Sequence, residues 1–327
     1  MKSVDRDFVR RPGFTSLQAG GLDWEALPLR LFRKGNAKFW NPEQIDFTED
    51  AEDWQRLPDI AKEAFTGLCA MFLAGEEAVT HDLQPFISAM ANEGRFGDEM
   101  YLTQFCFEEA RHVQVFRRWL DAVGLTVDLS SYVADNVGYQ AIFCVALPES
   151  LDALRADPSP ANQVRASATY NQVIEGTLAL TGYFAWNRVC TKFDIFPGMR
   201  EIVTRIGDDE RRHMAWGTHT CRRHVAADSA NWDIARRQVF ALMPHAARQI
   251  RFATEPYPEE VFGLATNELI TYAVDRSRRR LGAIKSALEE RVARPMETDN
   301  VSEELEETFA REDAVVLAET SITKARV

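Results

Sequence analysis

Two short motifs, Glu109-Ala-Arg-His112 and Glu210-Arg-Arg-His213, each follow a lone glutamate at nearly the same interval. Glu76 precedes Glu109 by 33 residues, and Glu175 precedes Glu210 by 35. On a helix, residues three apart lie on one face a turn apart, so this spacing lets a carboxylate and an imidazole reach a common point. His81, His219, His224 and His245 lack a glutamate at that spacing. One such pair arises by chance on any solvated helix. Two pairs in corresponding places of two halves confine the chain to folds in which four helices turn six side chains toward each other, an all-α bundle.

The hydrophobic pattern supplies those helices. Leu68, Phe72, Val79, Leu83 and Phe86 recur at three-to-four spacing and predict a helix over about 60–90. Leu102, Phe105, Phe116 and Leu120 predict a second over about 98–122, with Gly124 as its stop. The short Asn92-Glu93-Gly94-Arg95 turn makes the two antiparallel neighbours. A third helix is expected over about 161–191 and a fourth over about 198–226, joined through Asp194-Ile195-Phe196-Pro197 as a second hairpin. Shorter segments over 125–160 carry the chain back across the bundle. Stretches over about 231–253 and 259–288 are expected to pack outside the four without chemistry of their own. This gives a dimetal domain over residues 1–290 and an acidic tail over 291–327, rich in Glu303, Glu304, Glu306 and Glu307, in which no order is expected.

Glu76 follows Phe72 and precedes Val79 on the apolar stripe, and Glu175 precedes Leu178 and Gly182. A carboxylate facing a bundle core is costly unless a cation or hydrogen bonds stabilise it. Four carboxylates and two histidines are what two adjacent divalent ions require. The order Glu, Glu-x-x-His, Glu, Glu-x-x-His is the known arrangement of ferritin-like di-iron and di-manganese carboxylate proteins. Ligands without thiolate suit iron or manganese, and a redox-inert zinc pair would also fit the spacing but explain less. Glu109 is the expected bridging carboxylate, while Glu77 and Glu108 are expected at the surface. Asp209, beside Glu210, is a candidate outer partner to fix a histidine's tautomer. Taken alone, Trp40 reads as a packing aromatic of the N-terminal arm, and Tyr170 as a core or helix-surface tyrosine.

Composition removes other classes. The formal charge of −12 comes with no Lys/Arg run long enough to track a phosphate backbone, so nucleic acid is not an expected partner. The five cysteines are scattered, odd in number and without a Cys-x-x-Cys pair, which reads as reduced thiols and a cytoplasmic location. The N-terminus lacks the apolar run of a secretory signal. The most apolar stretch, 173–186, is shorter than the ~20 residues of a membrane span and carries Glu175.

Several longer segments resemble one family. They are Ala37-Lys-Phe-Trp40, Gly75-Glu-Glu-Ala-Val-Thr80, Gly97-Asp-Glu-Met-Tyr-Leu-Thr-Gln104, Glu108-Glu-Ala-Arg-His112 and Gly207-Asp-Asp-Glu-Arg-Arg-His-Met-Ala-Trp-Gly217. In them, over about residues 15–285, the chain is similar to the R2-like ligand-binding oxidases, relatives of the ribonucleotide reductase small subunit. The resemblance implies a ferritin-like four-helix bundle with flanking helices, a manganese–iron cofactor assembled with dioxygen, a long-chain fatty acid at the metals, two-electron oxidase chemistry and a homodimer. It implies manganese at Glu76, Glu109 and His112, and iron at Glu175, Glu210 and His213, with a di-iron form as the variant. It also implies an ether cross-link between Tyr170 and Val79. Spacing alone does not select Tyr170, because five residues before Glu175 is roughly 140° round a regular helix. A π-bulge would reconcile the two.

The radical-generating small subunit of class I ribonucleotide reductase shares the ligand order, and has counterparts of Trp40 and Asp209 in its electron-transfer path. It commonly has aspartate where this chain has Glu76 and a radical tyrosine where this chain has Phe116. Its transfer tyrosine is C-terminal, whereas the last tyrosine here is Tyr272. An acyl-carrier-protein desaturase would share the ligand set. An iron-storing ferritin would share the bundle but is usually about half as long.

Overall fold

The computed structural model describes residues 13–263, 265–289 and 298–324, and among them every regular element is a helix. After α1 (Leu27–Ala37) and α2 (Thr48–Arg56) comes the first hairpin, made of α3 (Asp59–Asp82), α4 (Gln84–Asn92) and α5 (Phe96–Ala122). The single helix expected over 60–90 is two. Pro85 lies in the first turn of α4, where its missing N–H costs nothing, but inside a continuous helix it would remove a hydrogen bond and clash with the preceding turn. Gly94 and Gly124, both at positive φ, frame α5.

The short helices α6 (Ser131–Ala134) and α7 (Val137–Tyr139), a π-helical turn at Gln140–Ala146, and α8 (Leu147–Ala156) return the chain across the bundle. The third ligand helix is one rod with a π-helical middle: α9 (Pro160–Ser167), the π segment Ala168–Ala179, and α10 (Leu180–Phe193). A tight loop leads into α11 (Pro197–Ala227). There Asp194 and Phe196 adopt left-handed φ of 57° and 55°, and α2 secures them. Asp53 Oδ2 accepts the Phe196 N–H at 2.8 Å, and Asp50 Oδ2 accepts the Gly198 N–H at 3.1 Å.

Helices α12 (Ala230–Thr254), α13 (Glu259–Phe262) and α14 (Thr266–Ser286) follow, with α12 and α14 packed on the π segment. Two large apolar clusters form the core. Tyr170 of one and Tyr183 of the other both reach the carboxylates between them.

The acidic tail is where the structure departs most from expectation. Val301–Lys324 is a helix, α15, packed on α10, α11 and α14. Composition alone made it look unable to order, but its acids find counter-charges elsewhere in the fold: Glu306 pairs with Arg280, and Asp313 with Arg276. Residues 291–297 and 325–327 of that tail, like residues 264 and 290 and the N-terminal twelve, lie outside the described residues. No described helix is long and apolar enough to cross a membrane.

Candidate metal centre

The two Glu-x-x-His motifs sit on α5 and α11, and the lone glutamates on α3 and the π segment. All six side chains are buried and converge. Glu76, Glu109, His112 and Glu210 offer oxygen and nitrogen atoms within 4.8 Å of one another, and so do Glu109, Glu175, Glu210 and His213. Glu109 and Glu210 belong to both groups. Glu109 lies 3.6 Å from His112 Nδ1 through one oxygen and 3.0 Å from His213 Nδ1 through the other. Glu210 is at 3.7 and 3.6 Å from the same two nitrogens. Glu210 thus stands between the two histidines as Glu109 does.

The donor set fits two cations. Glu175 Oε1, Glu210 Oε2 and His213 Nδ1 are buried with no hydrogen-bond partner, all at the centre, and a buried polar atom without a partner is costly. Divalent ions would satisfy all three.

Behind each histidine stands a carboxylate from the opposite motif. His112 Nε2 is 3.2 Å from Asp209 Oδ2, and His213 Nε2 is 2.9 Å from Glu108 Oε2. Such outer acceptors hold the ring and leave Nδ1 free for an ion. Asp209 was legible as a candidate for this role, but Glu108 was expected at the surface and is instead buried. Its signal was present: Glu108 stands to Glu109 as Asp209 stands to Glu210. Glu77 is exposed, as expected. Trp40 is buried and donates from Nε1 to Asp209 Oδ2 at 2.8 Å. Arg111 and Arg212 also donate to Asp209, at 2.7 and 2.6 Å, and Arg212 donates to Glu108 at 2.7 Å.

Electrostatics follow from this crowding. Burial raises Glu76 to about 7 despite the neighbouring His112. Burial and the nearby Glu109 and Glu175 charges raise Glu210 well above its ordinary value. Burial opposes the charge on Glu109 too, but the adjacent His112 and His213 imidazoles hold it below the usual range. Burial disfavours the charged imidazoles, yet Glu76 and Asp209 raise His112, and Glu108 and Glu109 raise His213. Incoming cations would displace these protons, since ligands bind deprotonated.

The π-helical turn resolves the register of Tyr170. With i→i+5 hydrogen bonding the turn is wider, so residues five apart are separated by far less than the roughly 140° of a regular helix, and Tyr170 and Glu175 face the same side. Tyr170 donates to Glu109 Oε1 at 2.9 Å. Asn171 donates to Glu175 at 2.8 Å, and Tyr183 to Glu76 at 2.9 Å. Neither was found from sequence: Tyr183 reaches a ligand on the other hairpin, which no spacing rule encodes, whereas Asn171 stands four residues before Glu175, a helical spacing that carried the signal. Val79 is buried and lines, with Tyr170, Glu76, Glu109, Glu175 and Glu210, an apolar cavity beside the centre. The remaining lining is mainly apolar and includes Ile250 and Ala253 of α12 and Leu269 of α14, helices that had been assigned no part in the site.

Comparison with known proteins agrees with this geometry. The family model described as ribonucleotide reductase, small chain, matches residues 29–286. The chain is similar to a solved R2-like ligand-binding oxidase with an aerobically reconstituted Mn/Fe cofactor, with TM-score 0.79 and 34% identity over 84% of this chain and 98% of that one. A valine-to-alanine variant with an anaerobically reconstituted Mn/Fe cofactor gives TM-score 0.78 at the same identity and coverage. The chain therefore belongs to the ribonucleotide reductase small-chain family and, within it, to the R2-like ligand-binding oxidases, which are dimetal oxidoreductases.

Proposed function

We propose that this chain uses dioxygen to oxidise a C–H bond at a manganese–iron pair, with manganese held by Glu76, Glu109 and His112 and iron by Glu175, Glu210 and His213. We further propose that it binds a long-chain fatty acid and joins Tyr170 to Val79 by an ether bond. The observation that carries this is the coincidence of two buried ligand groups with an apolar cavity opening on both. When bound in reduced form, the metals supply two of the four electrons that carry dioxygen to water, and two-electron oxidation of the C–H substrate supplies the others.

The chain's own groups account for the rest. Leu68, Met71, Phe72, Ile174 and Leu178 form a wall suited to a hydrocarbon tail, whose carboxylate would lie at the metals. Glu109 Oε1 accepts the Tyr170 hydroxyl and so fixes the phenol oxygen at the edge of the centre. Burial and the surrounding carboxylates push the Tyr170 phenol well above its ordinary pKa, so its proton must pass to a base, and Glu109 is in contact. The ether forms as the Tyr170 O–H and a Val79 C–H each give up a hydrogen.

Intact mass after loading with iron and manganese in air tests the reading. The parent should lie two hydrogens below its sequence mass, while Tyr170→Phe should lie at its own sequence mass with equal metal content. A parent without the deficit would remove the cross-link. Lipid extraction should release a fatty acid, and anomalous diffraction at the manganese and iron edges should assign each ion; two ions of one other element would sink the manganese–iron assignment.

A further inference from the structure

Helix α15 lies past residue 286, where the family match ends, yet buried charges tie it to the centre. Arg280 of α14 is fully buried and donates from Nε and Nη2 to the two oxygens of Glu306 on α15, at 2.7 and 2.6 Å. This bidentate pairing fixes the guanidinium plane as well as its position. The third nitrogen, Nη1, donates to the carbonyl oxygen of Gly176, the residue after Glu175 in the π segment. Phe309 of α15 is also buried, with the Arg280 guanidinium 4.8 Å from its ring centre.

Backbone geometry explains why Gly176 takes this donor. In an α-helix its carbonyl would accept the N–H of Leu180, but that N–H goes to the carbonyls of Glu175 and Thr177. The wide turn diverts the α-helical donor, and Arg280 Nη1 supplies one to this carbonyl. Glycine lets the guanidinium approach, since a Cβ there would lie 3.0 Å from Arg280 Nη1 and 2.8 Å from the Asn171 carbonyl oxygen. The same wide turn brings Tyr170 and Glu175 to one face, so whatever holds it also orients both groups.

We propose that Arg280, locked by Glu306, is a positioning residue that holds the π-helical turn in register, which makes the C-terminal helix a working part of the centre. The metal arm of the test rests on the proposed function, whereas the exchange arm does not. Hydrogen exchange is measured on the full chain before metal loading, and Mn(II), supplied without iron so that it also probes the Glu175 group, is followed by electron paramagnetic resonance. Glu306→Gln should speed exchange over 168–179 by about tenfold, the effect of losing a hydrogen bond to a charged group, and weaken Mn(II) binding. Arg276→Gln is the control: its guanidinium bonds go to Asp275 and to Glu312 and Asp313 of α15. It should loosen α15 while leaving the π segment and Mn(II) binding at parent values. Arg280→Lys, which keeps the charge but not the fork, should act as Glu306→Gln does and carries the test if that variant does not fold. Unchanged exchange over 168–179 in Glu306→Gln, or equal loosening in Arg276→Gln, overturns the proposal. If the parent binds no Mn(II) but the exchange contrast holds, the clamp stands and the metal reading fails.

Discussion

His112 and His213 both turn Nδ1 toward the centre and Nε2 toward a carboxylate, but those carboxylates keep different company. Asp209, behind His112, takes hydrogen bonds from Trp40, Arg111 and Arg212. Arg111 in turn lies over Phe39 and Phe107, both substantially exposed, so this half is linked through polar contacts toward the surface. Glu108, behind His213, takes Arg212, and Phe105 stacks on the His213 ring at 3.5 Å between centroids. That half is enclosed. It also holds two of the three unpartnered buried atoms, Glu175 Oε1 and His213 Nδ1, whereas Tyr183 and His112 already satisfy Glu76. A repeated motif can thus keep its inner groups while its surroundings diverge, and the enclosed half leans more heavily on a cation.

The sharpest way to break the comparison is to remove a group common to both halves. Glu109→Ala should abolish binding of both ions, because Glu109 belongs to both ligand groups, whereas Glu175→Ala should lose only the ion beside His213. Elemental analysis of the loaded proteins separates the outcomes, and equal losses would erase the distinction between shared and private ligands.

Next come the outer carboxylates. Asp209→Asn should weaken the ion beside His112, and Glu108→Gln the ion beside His213, each by roughly 10–100-fold. Asp209→Asn should also cost about 3 kcal/mol in urea unfolding, because it strips the buried counter-charge from Arg111. If both variants weakened both ions alike, the crossed pairing would have no functional content.

The smallest effect concerns how the two motif helices begin. Helix α11 starts on the buried Asp50, which burial raises from 3.8 to about 7 against the pull of the Met199 and Gly198 N–H groups. Between about pH 4 and 7 the folded chain holds a proton there that the unfolded chain releases, so this contribution to stability is present below that window and lost as pH rises through it. Asp50→Asn should flatten that decline and be more stable than the parent at pH 8. A parent and variant with parallel stability curves over that range would show that Asp50 does not titrate there.

The bundle was readable because its signals are local. Apolar residues at three-to-four spacing mark the helices, and residues three apart on a helix share a face whatever surrounds them. Where a local rule was missed, as at Pro85 splitting the first ligand helix, the cause was still in the chain. Glu108 was missed for a different reason: a charged residue at the edge of an apolar stripe faces water or a partner depending on what the opposite helix brings, and that helix carries Arg212 and His213.

What the sequence by itself determined is the all-α character, the pairing of helices into two hairpins and the six groups able to meet at a centre, since each follows from period and spacing along one segment. Only the tertiary structure decided the crossed outer pairs, the reach of Tyr183 across the bundle, the π-helical turn beside Glu175 and the ordering of α15. In each case the deciding partner is remote in the chain, and a buried charge or carbonyl is stable only where folding brings its complement within hydrogen-bond distance.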